Sequence, residues 1–160
     1  MIDIVQSSNA ELMRQFIVLV ASGSIAAAVF LAFAGRSGRA VAGVLALLGS
    51  LVVLGLTLTP DPASGSGLYA CATEPGAPLD DLPNVAVFFV PVLFAVVATR
   101  RPLVLLFAGP VASAAIEFAQ YSLPVEGRRC DVDDVLANSA GSAAAVVIGV
   151  SILALGAAWR

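Results

Sequence analysis

The chain has 160 residues, of which 59% are hydrophobic and 12% are charged. Soluble domains carry about 25% charged residues, so this composition excludes an ordinary soluble domain and predicts an integral membrane protein. The net charge of −3 gives no reason to expect a nucleic-acid partner. The sequence has no histidine, which excludes Ser-His-Asp catalysis and histidine-ligated zinc.

Two apolar stretches come first in the chain. Residues 15–34 follow an acidic lead and exceed the ~7–15 apolar residues of a signal peptide, so we interpret them as a retained transmembrane helix. Residues 40–59 form the second span. The glycine- and arginine-rich segment between them, residues 35–39, predicts a tight basic turn.

Three more spans follow a polar segment. Residues 60–82 are rich in proline and acids and predict an extramembrane loop. The remaining spans are predicted at about 83–99, 103–123 and 134–158. Pro91 and Pro110 predict bends in two of them. We therefore expect one all-α transmembrane domain over residues 1–160, a polytopic bundle of about five spans.

The arginines predict the orientation of this bundle. Basic residues without a neighbouring acid occupy the 1–2 turn, the 3–4 turn and the C-terminus, at Arg36, Arg39, Arg100, Arg101 and Arg160. The positive-inside rule then gives an external N-terminus and a cytoplasmic C-terminus. Arginine is the only basic residue type, and alanine, glycine and valine are abundant, as is typical of GC-rich bacterial genomes. We expect a multi-pass protein of the bacterial cytoplasmic membrane.

This topology places both cysteines outside the cell. Cys71 lies in the 60–82 loop, and Cys130 lies between the fourth and fifth spans. Because the outside is oxidising, a Cys71–Cys130 disulfide is predicted, with two unrelated thiols as the alternative.

Polar residues gather where the fourth span ends. Glu117 and Gln120 are three residues apart, so they share a helix face. A carboxylate near a helix C-terminus is opposed by the macrodipole, so Glu117 must hold a proton or pair with a cation. Arg128 is the natural partner, and Arg129 is the alternative.

The fifth span opens with a second polar face, formed by Asp131, Asp134 and Asn138 at helical spacing. If the fourth and fifth helices pack antiparallel, this face meets Glu117 and forms a pocket below the external membrane surface. Asn84, at the external end of the third span, is expected to join it.

Simpler roles exist for several members. Asp131 and Asp134 resemble helix-capping acids, and Gln120 and Asn138 resemble interhelical hydrogen-bonding residues worth about 0.6–2 kcal/mol each. Capping explains only two residues of the cluster, and ionisable residues in a membrane segment are functional-site candidates. We therefore interpret the cluster as a ligand-binding site.

The chemistry of this site stays open. Glu117, Asp131 and Asp134 are candidate ligands for Mg²⁺ or Ca²⁺, and Glu117 is the candidate catalytic base for acid–base work on a lipid headgroup. Arg128 and Arg129 suit a phosphate or carboxylate of an envelope precursor. No nucleophile–base pair, phosphate-binding loop or metal-ligand motif is present, so the sequence requires no cofactor.

The ordered polar string resembles the VanZ-like family. It comprises Asn84-x-x-x-Phe88-x-x-Pro91, Glu117-x-x-Gln120, and Gly127-Arg128-x-x-Asp131-x-x-Asp134-x-x-x-Asn138-x-x-Gly141. The Thr-Leu-Thr-Pro ending of the second span (57–60) is similar too, so the resemblance covers about residues 45–145. The cysteines are not part of the pattern.

The resemblance implies a cell-envelope membrane protein linked to resistance to the glycopeptide teicoplanin. It carries over Asn84, Glu117, Gln120, Arg128, Asp131, Asp134 and Asn138 as site residues. The leading expectation is an external pocket that engages a membrane lipid or lipid-linked envelope precursor. A membrane-embedded enzyme acting on lipid headgroups and a small transporter are the alternatives. Small residues on the fifth span suit either internal packing or a homo-oligomer.

Overall fold

The computed structural model describes residues 2–59, 71–72, 81–122 and 130–159, with side chains from residue 11 onward except at 71 and 72. Its elements are α1 (Ile2–Phe33), α2 (Gly35–Leu58), β1 (Cys71–Ala72), α3 (Leu82–Thr99), α4 (Pro102–Ser122), β2 (Cys130–Asp131) and α5 (Val132–Ala158). All five helices are long and apolar enough to cross a membrane, α1 over Glu11–Phe33. The prediction of an all-α bundle with five spans is confirmed.

The predicted basic turn at 35–39 is wrong in its extent. The α2 helix already begins at Gly35, whose φ of +65° reverses the chain at a single residue. Residues with a side chain rarely adopt this backbone conformation, whereas glycine adopts it freely. Gly38 is buried, and a methyl group there would overlap the Leu31 carbonyl oxygen, so α1 and α2 meet closely directly after the reversal.

Side-chain caps fix the starts of α3 and α5. Asp81 accepts a hydrogen bond from the Asn84 backbone N–H at 3.3 Å, and Asp131 accepts one from the Asp133 backbone N–H at 2.9 Å. Caps of this kind satisfy backbone donors that have no partner within the helix. The predicted capping role of Asp131 is therefore confirmed, and α5 begins two residues earlier than expected.

The α3 helix lies at the centre of the bundle. It packs against α5 and α2 and also contacts α1, whereas α4 packs mainly against α5. Leu93, Val96 and Val97 of α3 are completely buried. The helices continue through Pro91 and Pro110. Since α3 holds the core, its polar first turn is fixed relative to both α2 and α5.

The two ends of the bundle differ in charge. We call one the acidic end, where Asp81, Glu117, Asp131, Asp133 and Asp134 lie, and the other the basic end, where Arg36, Arg39, Arg100 and Arg101 lie. At the basic end, Arg39 Nε donates to the Ala98 carbonyl at 3.2 Å, which ties α2 to α3.

A short parallel pairing of β1 with β2 lies at the acidic end, with Cys71 opposite Cys130. Cys130 is disulfide-bonded, and Cys71 is the only other cysteine in the sequence. The side chain of Cys71 is outside the described part of the structure. The pairing connects the segment before α3 to the segment before α5.

We expect intact-mass spectrometry to show the predicted Cys71–Cys130 bond. The unreduced protein should be lighter than the reduced protein by two hydrogens, and the Cys71→Ser/Cys130→Ser variant should not change mass on reduction. Because a disulfide typically contributes about 2–4 kcal/mol, reduction should also lower the melting temperature. Alkylation of both thiols in unreduced protein would contradict the bond.

Glycine allows α5 to approach α3 closely. A methyl group at Gly141 would overlap the Val85 carbonyl oxygen, which belongs to the backbone and cannot rotate away, and one at Gly149 would lie 2.6 Å from a Val96 methyl carbon. Small residues let transmembrane helices approach in this way. These glycines are thus part of the internal packing between α3 and α5.

Gly141→Ala should destabilise the bundle, because overpacking costs about 1–3 kcal/mol. Gly23→Ala is the matched control, since Gly23 lies in α1 with nothing within 4 Å of an added methyl group. It should be neutral or slightly stabilising. Thermal unfolding in detergent measures both, and equal melting temperatures for the two variants would show that the close approach is absent.

Candidate functional site

The first turn of α3 meets the first turn of α5 through Asn84. The Asn84 Nδ2 group donates to Asp134 Oδ1 and to Asp81 Oδ2 at 2.8 Å. One amide therefore joins two carboxylates from different segments. The prediction that Asn84 joins the polar cluster of α5 is borne out by this contact.

Glu117 joins α4 to the start of α5. It is only 4% exposed, and its Oε2 accepts the backbone N–H of Asp131 at 2.8 Å. Burial of a polar group is costly unless it is hydrogen-bonded, and this bond pairs one carboxylate oxygen with a backbone donor at β2. The predicted convergence of the fourth and fifth helices at this depth is present.

Gln120 faces a different neighbour from Glu117. Its Nε2 donates to the backbone carbonyl of Thr57 on α2 at 2.8 Å, and the residue is 7% exposed. Its Oε1 is buried and has no hydrogen-bond partner in the described structure. The sequence predicts that Glu117 and Gln120 share one helix face. In the structure they contact different helices, Glu117 the start of α5 and Gln120 the end of α2.

Below Glu117, a second polar group lies deeper between α4 and α5. Asn138 Nδ2 donates to Ser113 Oγ at 2.9 Å, and Ser142 Oγ donates to the Asn138 carbonyl at 2.9 Å. Ser113 and Ser142 are completely buried. Asn138 Oδ1 has no partner among the described residues. The predicted interhelical role of Asn138 is present, with a serine as its partner.

Three of these residues were not expected from the sequence: Asp81, Ser113 and Ser142. Spacing could have indicated two of them, because Ser113 lies four residues before Glu117 and Ser142 four residues after Asn138, on the same helix faces. Asp81 stands two residues before Pro83, which lies in the first turn of α3. An aspartate just before a helical proline is a helix-start signal.

Arg128 and Arg129 lie outside the described residues, so the predicted pairing of Glu117 with an arginine stays a prediction. The proposed metal ligands are Glu117, Asp131 and Asp134. In the described ranges no group of three histidine, cysteine, aspartate or glutamate residues is arranged to hold a metal ion. Asp131 Oδ1 and Asp134 Oδ1 both accept hydrogen bonds within the protein.

The arrangement is suited to hydrogen bonding with a ligand at the membrane boundary. It offers carboxylate oxygens at the ends of α4 and α5 and a buried amide oxygen at Gln120. Ser113 is completely buried and already accepts a hydrogen bond, so its hydroxyl is not open to a substrate. The cluster therefore has carboxylate and amide oxygens near the ends of α4 and α5 and an interhelical hydrogen bond, Asn138 to Ser113, deeper in the bundle.

Ser113→Ala should lower stability by about 0.6–2 kcal/mol, because it removes an interhelical hydrogen bond and leaves the Asn138 amide without its acceptor. Ser151→Ala is the control, since the exposed Ser151 bonds only within its own helix. A double-mutant cycle with Asn138→Leu measures the coupling. Additive effects in that cycle would contradict a direct Ser113–Asn138 interaction.

Comparison with known proteins identifies the family of this chain. A protein-family model described as VanZ/LLP1 matches residues 16–154. No curated protein and no solved structure matches the chain. The matched segment runs from the first membrane span almost to the end of α5, and it includes Asn84, Glu117, Gln120, Asp131, Asp134 and Asn138. The chain belongs to the VanZ/LLP1 family of membrane proteins.

Proposed function

We propose that this protein binds the headgroup of an envelope lipid or lipid-linked precursor at its acidic end, without converting it. The observation that carries the proposal is the buried carboxylate of Glu117, held by the Asp131 backbone N–H at the end of a transmembrane helix. Ionisable residues in such positions are costly and mark functional sites by default.

The acidic end is assigned to the external face of the bacterial cytoplasmic membrane. This orientation rests on the arginines of the basic end, since cytoplasmic loops carry an excess of arginine and lysine. The expected disulfide at the acidic end agrees with it, because disulfides persist in oxidising compartments. A ligand of this site would therefore come from the outer leaflet or the envelope.

The apolar surface of the bundle favours a lipid as the ligand. Large hydrophobic side chains are exposed along the spans, among them Leu51, Val52, Val111 and Phe118. In a membrane these surfaces face lipid, so a lipid reaches the acidic end by lateral diffusion with its headgroup already at the correct depth. The family link to teicoplanin supports an effect on susceptibility to that antibiotic.

Binding is favoured over hydrolysis by the surroundings of Glu117. The nearest hydroxyl residue one turn deeper on its helix face, Ser113, is completely buried. A catalytic base must reach the proton that it abstracts within hydrogen-bond distance, and the Ser113 hydroxyl is already engaged by Asn138. The carboxylate is better suited to accept hydrogen bonds from a bound headgroup.

Glu117→Gln should reduce the lipid retained by the purified protein about tenfold, a loss near 1.4 kcal/mol, because the amide lacks one acceptor oxygen. Glu11→Gln is the matched control, since Glu11 is exposed on α1. Native mass spectrometry of protein extracted with bacterial lipids measures the retention. The teicoplanin susceptibility of a host expressing each variant is the second measurement.

Three results would contradict the proposal. A lipid product formed by the wild-type chain and lost in Glu117→Gln would indicate an enzyme. A lower melting temperature with unchanged lipid retention would indicate a structural carboxylate. Equal loss of retention in Glu11→Gln would show that the effect is not specific to the site.

A further inference from the structure

A groove of about 270 Å³ runs between α2 and α4, with α3 as its floor. It exists because α3 packs against both helices, whereas α2 and α4 scarcely touch each other. Of the described residues that line it, Ser50 alone has a polar side chain, and Ser50 Oγ already donates to the Ala46 carbonyl at 2.9 Å. The groove therefore offers an apolar wall to an occupant.

The dimensions of the groove fit one hydrocarbon chain. Its lining on α4 extends from Leu105 to Ile116, which is roughly 16 Å at 1.5 Å per residue. One leaflet contributes about 15 Å, half of the ~30 Å hydrocarbon core. An apolar cavity of about 150 Å³ holds a benzene ring, so 270 Å³ holds a longer segment of a single chain.

A buried acceptor lies just beyond the acidic end of the groove. Val53 and Ile116 line that end, and one helical turn further along their helices stand Thr57 and Gln120, joined by a 2.8 Å hydrogen bond. The Thr57 carbonyl can only accept, so the Gln120 amide cannot be turned round. Its Oε1, without a partner in the described structure, requires a hydrogen-bond donor.

The surrounding charge indicates what kind of headgroup supplies that donor. Among the described residues, the ends of α3, α4 and α5 here carry five acids (Asp81, Glu117, Asp131, Asp133 and Asp134) and no arginine, while Arg128 and Arg129 lie outside the described part of the chain. Like charges repel at short range. A headgroup with a cationic group and N–H donors is therefore favoured over a headgroup whose only charged group is a phosphate.

We infer that the groove holds one acyl chain of a glycerophospholipid whose ammonium headgroup donates a hydrogen bond to Gln120 Oε1. This inference rests on the proposed function and names the lipid class. Because α2 and α4 scarcely touch each other, the occupant enters laterally between them. The Gln120–Thr57 bond closes the groove at the acidic end and sets the depth of the headgroup.

The test uses the full chain in nanodiscs and a phosphatidylethanolamine probe with a photoreactive diazirine in its acyl chain. Labelling should fall on peptides that line the groove. Unlabelled phosphatidylethanolamine should compete about tenfold better than phosphatidylcholine with the same acyl chains, because the choline headgroup has no N–H donor. Polyprenyl phosphate is the third competitor.

Matched variants separate the two parts of the site. Ala112→Phe fills the groove and should lower groove labelling about tenfold, whereas Ala115→Phe makes the same change at an exposed position of α4 outside the groove and should leave labelling unchanged. Gln120→Leu should abolish the preference for phosphatidylethanolamine over phosphatidylcholine. Melting temperatures confirm that each variant is folded.

Labelling spread evenly over the lipid-facing helices, or unchanged in Ala112→Phe, would overturn the inference. So would equal competition by the ethanolamine and choline lipids. Stronger competition by polyprenyl phosphate would overturn the glycerophospholipid while leaving the proposed headgroup site intact. The proposed function is tested separately by lipid retention in Glu117→Gln and its Glu11→Gln control, which do not involve the groove, so the two failures are distinguishable.

Discussion

The hydrogen bond from the Asp131 backbone N–H to the Glu117 carboxylate is the constraint on which the acidic end depends. In a bilayer a backbone polar group that lies in the apolar layer must be satisfied within the protein. This bond gives Glu117 a partner, brings the end of α4 to the start of α5, and places the capping carboxylate of Asp131 over the first turn of α5. Asn84 then connects the same region to α3 through Asp134.

Close packing of the helices makes this convergence geometrically feasible. Gly141 leaves room for the Val85 backbone on the α3 side of α5, and Gly109 leaves room for Ser142 on the α4 side. Larger residues at either position would separate the helices, and the short side chains of Asn84 and Asn138 would no longer reach their partners. Interhelical hydrogen bonds and small residues therefore act together, as is general in membrane bundles.

The peripheral position of α4 explains why a groove accompanies the polar site. Since α4 packs mainly against α5, its opposite side makes few contacts with α2, among them the hydrogen bond between Gln120 and the Thr57 carbonyl near the acidic end. The remaining length between α2 and α4 is lined by apolar residues of three helices. The groove therefore ends one helical turn from the hydrogen bond between Gln120 and Thr57.

The sequence by itself determined the five spans, because long apolar runs leave a chain no alternative to membrane helices. It also determined that Asn84, Glu117, Asp131 and Asp134 lie at one end, since helix lengths and short connections fix the depth of each residue. The local extent of the 35–39 turn was not determined, because a single glycine with positive φ can replace a longer turn.

Only the tertiary structure decided which neighbour each polar side chain meets. Residues three apart on a helix lie about 60° apart around its axis. Glu117 and Gln120 can therefore reach different neighbouring helices, α5 and α2 respectively. The pairing of Ser113 with Asn138 and the groove between α2 and α4 likewise depend on how the helices are rotated and arranged. Helical spacing specifies directions on one helix, whereas the neighbours in those directions are set by the packing of the whole bundle.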